Sequence, residues 1–239
     1  MLKVDSVSAG YGKLQILTDV SLDAAPGELT IVVGPNGSGK STLLKSVAGL
    51  TNIYKGSVAM DGKTLSGHPP HVIARSGLAY LPQTEGVFTK LSVKENFKMA
   101  AYMIAKSEYE SRLKDTLEIF PQLKAYLDSR VVNLSGGERQ MVAMTMALLR
   151  KPQVIMFDEP TANLSPKYAT MVLKTIQSLG KERGMTIVLV EQNAKRALEI
   201  GDRAYLLVGG RNAFIGTARE LLSHQELAKL YLGMKVSGA

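Results

Sequence analysis

The apolar stretch Leu29-Thr30-Ile31-Val32-Val33 runs straight into Gly34-Pro35-Asn36-Gly37-Ser38-Gly39-Lys40-Ser41-Thr42, which opens Leu43-Leu44-Lys45-Ser46-Val47-Ala48. The order is strand, glycine-rich loop, helix. Glycines let successive backbone N–H groups curl round an anion without Cβ clashes, while the helix start adds unpaired donors and the positive end of its dipole. Lys40 is then placed to reach the β- and γ-phosphates of a nucleoside triphosphate. Ser41 would ligate Mg²⁺, and Thr42 would steady the loop beside the α-phosphate. A plain Gly/Ser turn competes as an explanation, but it leaves the flanking strand and helix unexplained.

A second apolar strand, Val154-Ile155-Met156-Phe157, ends in Asp158-Glu159. Open α/β sheets place their ligands at the carboxyl ends of the strands. Asp158 suits the Mg²⁺ shell, and Glu159 suits polarising the water that attacks the γ-phosphate. Two acids at a strand end are often just solvated; the upstream phosphate loop is what turns the balance.

Ser135-Gly136-Gly137-Glu138 precedes the periodic residues Met141, Met144, Thr145 and Leu148, which reads as a helix N-cap with Glu at N3. A cap accounts for Ser135 and Glu138 but not for the paired glycines. Those expose backbone N–H groups at a dipole end and make a second anion-binding surface, one that could serve another chain's nucleotide.

Around these motifs the pattern is α/β. Leu2 to Ser8 and Leu14 to Ala24 alternate about Gly10-Tyr11-Gly12 as an antiparallel hairpin, which Gly56 to Met60 would join. From Gly27 onward short apolar strands alternate with helices, the mark of a parallel sheet covered on both faces. Between about Ser92 and Arg130 only helical signals occur, opened by the capping box Ser92-Val93-Lys94-Glu95 and followed by Phe97, Ala101, Ile104, Leu113, Leu117 and Phe120. After a Gly209-Gly210 turn, Ala218 to Leu232 reads as a closing amphipathic helix.

Composition narrows the functions. With 239 residues, 45% of them hydrophobic, the chain suits one sizeable core, and the absence of cysteine excludes disulfides, thiolate catalysis and the usual structural zinc sites. Apolar runs such as Thr186 to Val190 fall far short of the roughly 18 residues of a membrane span. No secretory leader precedes the first strand, so a cytosolic setting is expected. The formal charge of +8 is scattered, with no basic cluster, which argues against a nucleic-acid partner.

Together, Leu134-Ser135-Gly136-Gly137-Glu138 and the two motifs above resemble the ATP-binding-cassette (ABC) ATPases over essentially the whole chain. The resemblance implies one domain, residues 1–239: a P-loop NTPase core of ABC type with a parallel sheet, an N-terminal antiparallel β subdomain and a helical subdomain inserted at about 84–135. It implies ATP and Mg²⁺ as cofactors, Gln83 as the glutamine that contacts Mg²⁺ and the lytic water, and Tyr11 as the aromatic stacked on adenine. It also implies a head-to-tail homodimer or heterodimer in which Ser135 and Gly137 complete the partner's ATP site. A permease would dock near Thr84 to Phe88 at the cytoplasmic face of the membrane, although Val87, Phe88, Met99, Tyr102 and Met103 read individually as core packing.

More narrowly, Val190-Glu191-Gln192-Asn193-Ala194, Gly201-Asp202-Arg203 and Tyr231-Leu232-Gly233 resemble an ATPase subunit of branched-chain amino-acid importers. Gln192 stands where most relatives carry a histidine bonded to the γ-phosphate; it is expected to sense that group without a titration near about 6.5. Ser165 replaces the usual aspartate of a dimer-contacting loop and, before Pro166, reads as a helix N-cap. The competing functions are a soluble ABC ATPase acting on nucleic acid or ribosomes, and a non-hydrolysing ATP-dependent dimerisation switch.

Overall fold

In the computed structural model, which describes residues 1–84, 86–224 and 226, the opening alternation becomes a hairpin of β1 (Leu2–Tyr11) and β2 (Leu14–Ala24). Leu2, Val4, Val7 and Ala9 are buried. A register shift between Val4 and Val7, where Ser6 takes a φ of 48°, changes the phase of the pleat so that Val7 still points inward.

Next comes β3 (Leu29–Val33), buried throughout, and the phosphate loop leads from it into α1 (Lys40–Val47). The chain then returns to the hairpin as β4 (Asn52–Met60), which pairs with β1, and β5 (Lys63–Thr64) forms the edge. β4 starts four residues earlier than its apolar signal at Gly56, since Asn52 and Tyr54 to Ser57 are exposed.

After α2 (Pro70–Arg75) and β6 (Leu78–Leu81), helices take over: α3 (Val93–Ala100), α4 (Lys106–Leu117), two short 3-10 turns, and α5 (Gly136–Leu149). The parallel pattern resumes with β7 (Val154–Asp158), α6 (Pro166–Lys181), β8 (Thr186–Val190), α7 (Ala194–Leu198) and β9 (Arg203–Val208). An antiparallel edge strand, β10 (Arg211–Thr217), follows the Gly209-Gly210 turn and leads into α8 (Ala218–Ser223). The rest of the expected closing helix, to Leu232, and the Tyr231-Leu232-Gly233 ending lie outside the described residues.

The larger sheet runs β10-β9-β3-β8-β7-β6, parallel except for β10. Its strands send alternate residues to opposite faces. Ile31, Val33, Ile155, Phe157, Ile187 and Leu189 pack with Phe97, Phe120, Val172 and Ile176 on the helical side. Val32, Met156, Val188 and Val190 join Leu43 and Leu44 and the inner face of the hairpin sheet. Phe97 and Phe120 therefore share one apolar cluster with the sheet, and each fully buried side chain of this kind contributes about 1.5–3 kcal/mol.

Candidate active site

The phosphate loop is shaped by close backbone approach. A Cβ on Gly34 would lie 2.1 Å from the Leu207 carbonyl, and Gly39, the N-cap of α1, sits at φ 101° against Leu17. Thr18 N donates to Gly210 O at 2.8 Å and Gly210 N donates to Ser38 O at 3.1 Å, so the β9–β10 turn braces the loop against β2. Ser38 Oγ, in a residue only 3% exposed, bonds to nothing among the described residues. Lys40 is 5% exposed; its Nζ donates to Gly34 O at 3.0 Å and Pro35 O at 3.2 Å and lies 3.9 Å from Glu159 Oε1. Burial lowers its pKa, against the opposing pull of Glu159 and Asp158. Thr42 is buried in the first turn of α1.

β8 lies between β3 and β7, pairing Val190 with Val32 on one side and with Asp158 on the other. Neighbouring strands are about 4.8 Å apart, so β3 and β7 stand roughly 10 Å apart across it. Ser41 and Asp158 close that gap: Ser41 Oγ donates to Asp158 Oδ1 at 2.9 Å. The second oxygen of Asp158 accepts from Tyr80 Oη at 3.0 Å. Burial, and after it the Asp158 charge and hydrogen bond, push the Tyr80 phenol far above its usual range, so it remains a donor at neutral pH. Tyr80 belongs to no motif in the sequence. Its one signal is a polar-tipped aromatic inside a buried parallel strand, where the hydroxyl needs a partner.

Glu159 follows β7 at φ 48°, its N–H donating to Val190 O at 2.9 Å. Its Oε2 accepts from Gln83 Nε2 at 3.1 Å. Lys40, Ser41, Gln83, Asp158 and Glu159, drawn from three separate stretches of chain, thus meet at one sheet edge. Glu191 is 2% exposed and accepts from Thr161 N at 3.1 Å. Burial raises its pKa, partly offset by bonds from Thr161 and the Gln192 backbone. Nothing local in the sequence marks this strand-end acid as buried.

Other expected residues stand apart from this cluster. Gln192 is exposed one position beyond Glu191, and among the described residues its side-chain amide makes no hydrogen bond; Asn193 beside it caps α7 by accepting from Arg196 N. Tyr11, 43% exposed, ends β1 opposite Leu14. Ser135 and Glu138 form a reciprocal capping box that lowers the Glu138 pKa through bonds from Ser135. Gly137 meets the Tyr168 ring, where a Cβ would come within 2.3 Å. Among the described residues no hydrogen bond or ion pair joins Ser135, Gly136, Gly137 or Glu138 to Lys40, Ser41, Asp158 or Glu159. Ser165 occupies the N-cap of α6, but its hydroxyl makes no capping bond, so the capping role expected of that side chain is not seen.

The donor set can be tested against Mg²⁺. A serine hydroxyl and a single carboxylate, both hard oxygens, suit a small cation that keeps its waters and takes phosphate oxygens. Among the described residues no three His, Cys, Asp or Glu side chains gather as a metal site, so the remaining donors would come from a triphosphate and water. Gln83, the other expected ligand, has its amide N–H engaged by Glu159.

Beside the cluster a cavity of about 430 Å³ is lined by Leu81, Val87, Phe88, Met99, Ala143 and Met146. Phe88 is 49%, Met99 52%, Tyr102 84% and Met103 57% exposed, which overturns the core-packing reading of these four. The backbone of Phe88 is pinned by fully buried Asn96, whose Oδ1 accepts from Phe88 N at 2.7 Å and whose Nδ2 donates to Phe88 O at 3.0 Å.

Comparison with known proteins adds to this geometry. A family model described as ABC transporter matches residues 17–162. The chain is 51% identical over 234 residues to the probable branched-chain amino acid transport ATP-binding protein LivF of Archaeoglobus fulgidus, covering 98% of this chain and 99% of that one. It is 40% identical to the high-affinity branched-chain amino acid transport ATP-binding protein BraG of Pseudomonas aeruginosa, covering 98% and 100%. A solved structure described as the ATP binding subunit of an ABC transporter superposes with a TM-score of 0.82 at 30% identity, covering 98% of this chain and 96% of that one.

Proposed function

This chain is a member of the ABC transporter family and an ATP-hydrolysing subunit within it, and we propose that it powers an importer of branched-chain or related amino acids. The observation that carries the chemistry is the meeting of Lys40, Ser41, Gln83, Asp158 and Glu159 at the carboxyl ends of β3 and β7. The phosphates lie in the Gly34–Thr42 loop, where they compete with Glu159 and two carbonyls for the Lys40 ammonium. Ser41 and Asp158 would hold Mg²⁺, which would supply charge neutralisation for the phosphates. Glu159, oriented by Gln83, accepts a proton from water lined up on the γ-phosphate. Tyr11 stacks on the base, and Gln192 monitors the γ-phosphate.

The Ser135-Gly136-Gly137-Glu138 tip serves a second subunit, identical or homologous, in a head-to-tail dimer. What supports this is an ordered helix start with free backbone donors and no bond to its own chain's cluster. ATP in two such composite sites favours closure. Inverting a 1:99 population takes about 5.5 kcal/mol, which a few charge-assisted hydrogen bonds of about 1.5–3 kcal/mol each supply. The exposed Phe88, Met99 and Tyr102 surface docks a cytoplasmic segment of a permease, holding this subunit against the membrane from the cytoplasmic side. No helix among the described residues is long and apolar enough to cross a membrane. We take residues 1–239 as one domain with the helical part inserted at about 84–135, a reading that the shared apolar cluster supports.

The test is Glu159→Gln in the purified chain. Phosphate release should fall at least about 100-fold, in the range lost with other transition-state contacts, while ATP binding persists and ATP, not ADP, drives dimerisation. Turnover at the wild-type rate, or loss of ATP binding with it, sinks the reading.

A further inference from the structure

Two carboxylates in the described part of the chain are 2% exposed, Asp158 and Glu191. Asp158 is accounted for by Ser41 and Tyr80. Glu191 is held instead by Thr161, whose N–H donates at 3.1 Å and whose hydroxyl also bonds it, and by the Gln192 backbone N–H. Thr161 lies two residues beyond Glu159, in a turn bounded by Glu159 at φ 48° and Asn163 at φ 61°. Residues other than glycine keep such conformations only where their surroundings hold them. The end of β8 supplies two holds, the Val190 carbonyl on Glu159 N and the Glu191 carboxylate on Thr161 N.

We infer that Glu191 is a positioning residue for hydrolysis: by accepting from Thr161 N–H its carboxylate fixes the turn that aims Glu159, and it links that turn to Gln192. The inference rests on the reading of Glu159 as the group that polarises water. A carboxylate suits the place because it accepts from two directions and brings no donor of its own against them. The bond joins the continuation of β7, which carries Glu159, to the end of β8, which carries Gln192. A displacement at Gln192 is thereby passed to the turn that carries Glu159 through the Glu191 bond to Thr161, beside the Val190 carbonyl's bond to Glu159 N.

The experiment compares Glu191→Gln, Glu191→Asp and Glu191→Ala in the full chain, measuring phosphate release and ATP affinity. Gln keeps the reach and one acceptor oxygen, Asp keeps the charge but withdraws it by a methylene, and Ala removes both. Asp and Ala should lower kcat by about 10- to 100-fold, the scale of a reacting group misplaced by up to about 1 Å. ATP affinity should stay within about twofold, and Gln should recover kcat to within about threefold of wild type. Should the Ala chain fail to fold, the order of Gln above Asp decides. Wild-type kcat in Asp or Ala, a Gln variant as slow as Asp, or ATP affinity lost in step with kcat overturns the inference. Glu159→Gln, run alongside, separates the two claims: if it is inactive while Glu191→Ala is active, only the positioning role falls, and if it is itself active, the reading of Glu159 falls and this one with it.

Discussion

Ser41 and Asp158 meet at 2.9 Å although 117 residues separate them in the chain. Neither is adjacent to the other in the sheet; one follows β3 through the phosphate loop and the other ends β7. Their contact fixes the distance between the glycine-rich loop and the end of β7, where Glu159 follows, and it makes Asp158 sensitive to whatever else holds it.

Tyr80 is what else holds it. In Tyr80→Phe the buried carboxylate loses a charge-assisted donor, which should lower stability by about 1.5–3 kcal/mol. Asp158 should also become less well fixed toward Mg²⁺, so the Mg²⁺ concentration for half-maximal phosphate release should rise several-fold. Denaturant unfolding and a Mg²⁺ titration read both effects; a variant unchanged in each would show that the Tyr80 hydroxyl is dispensable.

Gly136 and Gly137 should behave differently. A Cβ on Gly136 makes ordinary contact with Leu164 at 3.7 Å, whereas one on Gly137 enters the Tyr168 ring at 2.3 Å. Gly136→Ala should leave the unfolding free energy within about 0.5 kcal/mol of wild type or raise it through helix propensity. Gly137→Ala should cost about 1–3 kcal/mol by overpacking, and adding Tyr168→Ala should relieve that part of the loss. Equal stability in the two single variants would refute the packing argument.

Acid should weaken three helix starts together. Glu95, Glu138 and Glu220 each close a capping box, and each has its pKa held below the ordinary 4.5 by bonds from its N-cap residue. A depressed carboxylate contributes stability that is present above 4.5 and lost as pH falls through the lower folded value. The gap in melting temperature between wild type and the triple Glu→Ala variant at these positions should therefore be open at pH 7 and shrink toward pH 3. A gap that does not change with pH would mean the boxes contribute nothing through charge.

The apolar surface around Phe88 can be tested without touching the nucleotide site. Tyr102→Glu, at a side chain 84% exposed, should leave stability and phosphate release of the isolated chain essentially unchanged, within about 0.5 kcal/mol for stability. Co-purification with its membrane partner should be lost. Retained association would place the partner elsewhere.

The parts legible in the sequence are those whose meaning is local. Gly34 to Thr42, Val154 to Glu159 and the Ser135–Glu138 cap each carry their strand or helix with them, so motif and structural context arrive together. Tyr80 and Glu191 were not legible because what defines them, Asp158 and Thr161, comes from other strands and turns. β5 and α2 are not legible because they are short, and β10 and the first half of β4 because they are wet, without a buried apolar face. Phe88, Met99, Tyr102 and Met103 misled in the opposite direction: periodic apolar residues say that a face wants covering, not whether this chain covers it.

Sheet order sets a schedule for synthesis. By the time Ser165 leaves the ribosome, Lys40, Ser41, Gln83, Asp158 and Glu159 have all been made, yet the strand that belongs between β3 and β7, β8, has not. A nascent chain at that stage holds these five residues without the strand, Thr186–Val190, that sets their spacing by pairing with both β3 and β7.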